Sequence, residues 1–225
     1  MSNLARKTVF GFTQLIVGIG IFLFVSAGTL DYWQAWVFAF LFVGAAAAIT
    51  AYLWKYDPML LQRRINAGPG AEKDKRQKLI QLLAGIVFVG TLLLSSIDHR
   101  FDWSDVPLPI VFVGDVLVAL GFLAVFLVFK ANSFAAATIE IAPEQQVIAT
   151  GPYAIVRHPM YAGALIMLLG TPLALGSWWG LLMLIPMTSV LAWRLLDEER
   201  FLAKNLSGYA VYCVKVRYRL VPLVW

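Results

Sequence analysis

Six long apolar runs, at 9–30, 33–54, 79–97, 107–129, 160–175 and 178–196, decide which solvent this chain can fold in. A helix needs ~20 mostly apolar residues to cross a hydrocarbon core of ~30 Å, and most of these runs approach or exceed that length. Strands of a membrane barrel would alternate apolar and polar residues over segments of ~10, whereas these runs are apolar on every side. Because backbone groups in lipid must satisfy one another within the segment, the runs are expected to be helices. The fold class that follows is all-α, a polytopic transmembrane helix bundle of about six spans, with the fifth run the shortest. Composition agrees: 60% apolar and 14% charged, against roughly 45–50% and ~25% in soluble domains.

The first run follows Arg6 and Lys7, as a secretory signal would. It exceeds the ~7–15 residues of a signal core, and further spans follow it, so it reads as a retained helix. The single cysteine, Cys213, excludes an internal disulfide and a multi-cysteine metal cage, and no metal is predicted.

Threading the chain through six spans sorts the basic residues almost completely. Arg6, Lys7, Lys55, Arg63, Arg64, the 73–78 cluster, Lys130, Arg157, Arg194 and the C-terminal basic residues fall on one side, and only Arg100 on the other. The positive-inside rule makes the basic side cytosolic, with both termini there. An integral, multi-pass protein is expected, in the plasma (inner) membrane if the source is bacterial. The net charge of +5 then reads as an orientation signal with some attraction to anionic membrane lipids. No base-reading motif accompanies it, so nucleic acid is not an expected partner.

Two regions are expected. Residues 1–130 form a four-helix membrane region with a cytosolic loop at 55–78, whose Gly68, Pro69 and Gly70 and the mixed run 72–78 read as a solvated connector leading into a helix. Residues 131–225 form a helix hairpin with a cytosolic C-terminal cap. The stretch 131–157 is polar enough for water and reads as a partly extended cap, with a small hairpin around Pro143.

Chemistry concentrates at 151–163, Gly-Pro-Tyr-Ala-Ile-Val-Arg-His-Pro-Met-Tyr-Ala-Gly. Pro159 suits the first turn of a helix, which puts His158 at the cap, and free amides at such a terminus favour an anionic group. Gly163 leaves room for a ligand or a neighbouring helix. A second polar cluster, Asp197, Glu198 and Glu199, follows the sixth run. Three acids at a helix end would oppose the macrodipole, so the helix is expected to continue to about Asn205, with Gly208 beyond it. A short turn between the last two spans makes them antiparallel and returns both clusters to one membrane face.

These residues resemble the isoprenylcysteine carboxyl methyltransferases and the related phospholipid methyltransferases. Arg157, His158, Pro159, Tyr161 and Gly163 match that family's Arg-His-Pro-x-Tyr-x-Gly motif, and Glu198 with Glu199 match its paired glutamates. The resemblance covers roughly 132–225. It implies an integral membrane methyltransferase that uses S-adenosylmethionine on a lipid-like or isoprenylcysteine-type acceptor. It also implies a cofactor site made of these residues together with Tyr153, and a closing segment containing Tyr209, Tyr212, Arg217 and Arg219. Arg217 and Arg219 are the candidates for orienting an anionic acceptor group at the catalytic centre.

Each group also has a plainer reading. Arg157 could be a basic anchor at a cytosolic helix start, and the tyrosines part of an interfacial aromatic belt. Glu198 and Glu199 could be a solvated helix face paired with Arg194 or Arg200 at helical spacing. The alternative for the whole chain is a non-enzymatic transporter or assembly protein whose cytosolic cap binds a partner. A haem reductase or oxidase is disfavoured, because His99 and His158 fall on opposite sides.

Overall fold

The computed structural model describes residues 3–225, and among them eight α-helices and no strand. Four long helices come first: α1 (Asn3–Gly20, widening into a π turn at Ile21–Val25), α2 (Trp33–Tyr56), α4 (Lys75–Phe101) and α5 (Leu108–Ala131). Between α2 and α4 lies the short α3 (Pro58–Ile65). It is capped by the Asp57 carboxylate, which accepts from the Leu60 amide, and Pro58 opens it. After a long cap come α6 (Pro159–Ala174), α7 (Leu184–Asn205) and the terminal α8 (Tyr209–Lys215).

Five of these helices, α7 together with the 3₁₀ turn before it being one, are long and apolar enough to cross a bilayer. The sixth, α6, has 16 residues and so rises about 24 Å, short of the ~30 Å core. The arrangement is an integral membrane bundle compatible with about six spans. Along α7 the helix continues past the acids to Asn205, and Gly208 adopts positive φ before α8.

Helix association in lipid gains little from hydrophobicity, so close backbone approach carries it. The tightest pair is α5 with α6. Gly114 and Gly121 on α5 stand seven residues apart, as do Gly163 and Gly170 on α6. A Cβ on Gly121 would lie 2.7 Å from the Gly163 carbonyl, and one on Gly170 would lie 2.6 Å from the Gly114 carbonyl. Gly163 therefore serves a neighbouring helix. This seam holds α6 against α5 within the bundle.

The end of the bundle away from the basic residues is filled. Leu23, Tyr32, Ala35, Phe38, Leu92, Val118, Ala174 and Leu175 are buried there in one cluster. The Tyr32 hydroxyl donates to the Leu175 carbonyl, and the ring stacks on His99. Asp98 is buried and accepts from the hydroxyls of Ser104 and Ser177. The basic end is hollow by comparison, and the site lies there.

The hairpin expected within 131–157 does not form. Residues 132–150 run as irregular chain and turns, followed by a 3₁₀ turn at Gly151–Ala154. Its polar groups bond to α3 and to the segment before α4 instead of to a second strand: Arg63 and Arg64 donate to the Ser133 and Ala136 carbonyls, and the Ile139 amide donates to Glu72.

Substituting Gly121 or Gly170 by Val should force α5 and α6 apart. Overpacking costs about 1–3 kcal/mol, so each variant should melt about 2–10 °C below wild type in detergent. Valine at Gly44, where nothing lies within 4 Å of an added Cβ, should leave the melting temperature almost unchanged.

Candidate functional site

The site forms where the start of α6, the end of α7 and the C-terminal tail meet. His158 is the N-cap residue of α6 and Pro159 its first residue. The tail beyond α8 crosses this start, with the amides of Arg157 and His158 donating to the carbonyls of Tyr218 and Arg219 at 2.9 and 3.0 Å. The Arg157 guanidinium then closes the end of α8. Nε donates to the Val216 carbonyl at 2.7 Å, Nη2 to the Cys213 carbonyl at 2.8 Å and Nη1 to Glu199 at 3.1 Å. A cation at a helix C-terminus meets both the free carbonyls and the negative end of the dipole.

Glu199 is the centre of this arrangement. Its carboxylate accepts from Arg157 and, at 2.8 Å, from Arg219, and lies 3.4 Å from His158 Nε2. That last pair is within ion-pair distance but outside hydrogen-bond geometry, and Nε2 has no hydrogen-bond partner among the described residues. Glu198 points elsewhere and accepts from the Tyr161 hydroxyl at 2.6 Å. The same hydroxyl accepts from Arg194 Nε at 3.1 Å.

Arg194 leads to a group that sequence reasoning missed. Its two terminal nitrogens donate to Gln77, to the Ala137 carbonyl and to Glu72, the last at 2.9 Å. Glu72 is 4% exposed and also accepts from Gln81. Gln77 donates in turn to Asp197. The run 72–78, expected to be a solvated connector leading into a helix, does begin α4 at Lys75 but contributes two buried polar residues, Glu72 and Gln77, to the wall behind the site. No local pattern marks them, because their partner lies more than a hundred residues away. The helical-spacing pairing of Arg194 with Glu198 or Glu199 is replaced by this network, while Arg200 does pair with Asp197 at 3.3 Å.

A narrow cavity of about 120 Å³ lies under the cap, lined by Tyr153, His158, Pro159, Tyr161, Glu198, Tyr209 and Tyr212 among others. Tyr153 is held by Asn132, which donates to its hydroxyl, and by Tyr212, which donates to its carbonyl. Burial pushes its phenol up to about 12. The Tyr209 hydroxyl, like His158 Nε2, is buried with no hydrogen-bond partner. The structure therefore brings Tyr153, His158, Tyr161 and Glu198 to the cavity. Arg157 also borders it, although its guanidinium is taken up by the tail. Gly163 packs on α5, Arg217 is exposed, and Arg219 reaches Glu199 while lying over the Trp225 ring.

On the apolar side of the same wall lies a second cavity of about 580 Å³. It is lined by Phe42, Ile49, Leu53, Phe122, Phe129, Ala164 and Met167, with Arg64 and Gln81 at its polar end. Met160, Tyr161 and Arg194 line both cavities.

Replacing Glu199 by Gln leaves Arg157 and Arg219 facing a neutral amide. Truncating one partner of a sheltered ion cluster costs about 3 kcal/mol or more, so E199Q should lower the melting temperature clearly. It should also speed proteolysis within 209–225, followed by mass spectrometry. Glu198→Gln, with the single tyrosine contact, should melt close to wild type.

Comparison with known proteins adds two findings. Residues 109–208 match the family model described as phospholipid methyltransferase. The match begins at α5, one helix earlier than the motif-bearing stretch from 132, and ends before the tail. Over 95 residues the chain is 36% identical to Delta(14)-sterol reductase of Mus musculus, a match covering 39% of this chain and 22% of that protein. The chain thus matches less than a quarter of the length of that curated relative. From α5 to the end of α7 the chain is similar to the phospholipid methyltransferases, the integral membrane methyltransferase family that its 157–163 motif and its Glu198 and Glu199 resemble.

Proposed function

We propose that this protein is an integral membrane methyltransferase that takes its methyl group from S-adenosylmethionine and transfers it to a lipid-like acceptor, of isoprenylcysteine or related type, at the cytosolic membrane face. One observation carries the reading: a polar cavity under the cap and an apolar cavity among the helices share a wall at Met160, Tyr161 and Arg194. A transferase that joins a water-soluble donor to a membrane-dissolved acceptor requires two such chambers in contact.

The residues present fit the cofactor. His158 Nε2 and the Tyr209 hydroxyl are buried polar atoms with no hydrogen-bond partner among the described residues, and such groups are costly unless something satisfies them. Glu198 supplies a carboxylate for a cationic amino group or for ribose hydroxyls, and Tyr161 orients that carboxylate. Arg157, Glu199 and Arg219 act one step back, by holding the tail against the cavity. Pro159 fixes the start of α6, and Gly163 sets α6 against α5. The enclosed 120 Å³ is below the ~300–1,000 Å³ of typical ligand sites, so the irregular cap at 132–150 has to lift for the cofactor to bind.

When bound, the sulfonium supplies an electrophilic methyl group, whose transfer depends on an in-line nucleophile at ~3–3.5 Å and on exclusion of water. The cap and tail provide the exclusion. The distribution of basic residues supports the placement of the site and both termini in the cytosol. Reduction of a sterol-like lipid is a second reading, favoured by the likeness to the mouse sterol reductase. A partner-binding cap without catalysis is favoured only by the filling of the Arg157 and Gly163 positions with protein contacts.

Calorimetric titration of S-adenosylhomocysteine into the purified protein, in detergent or nanodiscs, should show about one site per chain. Loss of a hydrogen bond to a charged or buried group weakens binding about tenfold or more, so Glu198→Gln and His158→Ala should each do so. Unchanged affinity in both variants would remove these residues from the site. An absence of binding to folded wild-type protein would transfer support to the reductase or partner-binding reading.

A further inference from the structure

The apolar cavity is lined by a cation that has no counter-ion among the described residues. Arg64 lies near the end of α3 and lines the cavity. Its Nη1 donates to the Ala136 carbonyl at 3.0 Å and approaches the Met160 sulfur at 3.7 Å, and its guanidinium lies over the Phe129 ring at 5.0 Å. Nε and Nη2 have no partner among the described residues, and no carboxylate there comes within ion-pair distance. Burial pulls its pKa down from the usual arginine range.

The contrast with Arg194 is informative. Both guanidiniums border the same cavity, but Arg194 is engaged by Glu72, Gln77, Ala137 and Tyr161. An uncompensated charge facing apolar walls is costly unless it is paired and hydrogen-bonded, and an anionic ligand would pair this one. Arginine presents a planar fork that matches carboxylate and phosphate oxygens. Apolar walls from α2, α4, α5 and α6 extend away from Arg64, and the wall shared with the polar cavity lies beside it.

We propose that Arg64 is a specificity-determining residue, binding the carboxylate or phosphate head of a single-chain amphiphile whose tail fills the apolar cavity. The assignment rests on the reading of that cavity as the acceptor chamber. It places the head group against the Met160 and Tyr161 wall, where a methyl group from the other side can reach it.

Equilibrium binding of oleate, 1-oleoyl-lysophosphatidate and oleyl alcohol to the purified protein, read by native mass spectrometry, tests this. At least one anion should bind about tenfold or more tightly than the alcohol, the difference expected of a charge-assisted hydrogen bond. Preference for oleate identifies a carboxylate head and preference for lysophosphatidate a phosphate head. Arg64→Gln should abolish the preference and Arg64→Lys should retain most of it. Equal binding of all three ligands by wild type, or an undiminished preference in R64Q, overturns the assignment. S-adenosylhomocysteine titration of the same samples separates the two ideas. Cofactor binding without anion preference removes Arg64 alone, and anion preference without cofactor binding removes methyl transfer while the Arg64 site stands.

Discussion

Glu199 meets Arg157, His158 and Arg219 at once, and the site at the basic end depends on that convergence. Two of these neighbours are guanidiniums, Arg157 just before α6 and Arg219 in the tail, and the third is the imidazole at the α6 cap. One carboxylate on α7 therefore ties that helix to the start of α6 and to the tail, which are also joined to each other by the Arg157 and His158 amides. Because the group is sheltered, its attractions are less screened than those of surface pairs. Arg157 extends the same connection by closing the end of α8. The tail is thereby held as a wall of the polar cavity.

Below this ionic layer the bundle is held by backbone proximity. Lipid removes most of the hydrophobic drive that brings helices together in water, so α5 and α6 rely on two pairs of glycines that let carbonyls and backbone touch. The far end is packed with aromatic and aliphatic side chains. Near the basic end the helices leave an apolar hollow, bordered at its polar end by Arg64, Gln81 and Arg194, the last two bonded to Glu72. Arg194, with Met160 and Tyr161, thus stands between two chambers, the one under the cap more polar than the one among the helices.

This arrangement divides the residues of a single motif by task. His158 and Tyr161 face the polar cavity, Arg157 clamps the tail, Pro159 starts the helix and Gly163 meets α5. The paired glutamates divide likewise, Glu199 holding structure together and Glu198 standing beside the cavity on Tyr161. The motif thus acts as a folding unit as well as lining the polar cavity. Substitution at each of its positions therefore has a different physical meaning.

The sequence by itself determined the solvent, the helical class and the end of the bundle at which chemistry can occur. Apolar run length and the expulsion of charge from hydrocarbon are local or additive properties. Helix ends at Pro159 and Asn205 were legible for the same reason, since caps and glycines act within a turn. Of the glycine seam only Gly163 was read as room for a ligand or a neighbouring helix, and its place in a seam with Gly114, Gly121 and Gly170 appeared only in the fold. The tertiary structure alone decided that Glu72 and Gln77 are buried, that the cap forms no hairpin, that Arg217 stays exposed and that Arg64 lacks a counter-ion among the described residues. Each of those outcomes depends on which distant group arrives opposite, and burial and pairing between segments as far apart as Glu72 and Arg194 have no counterpart in local periodicity.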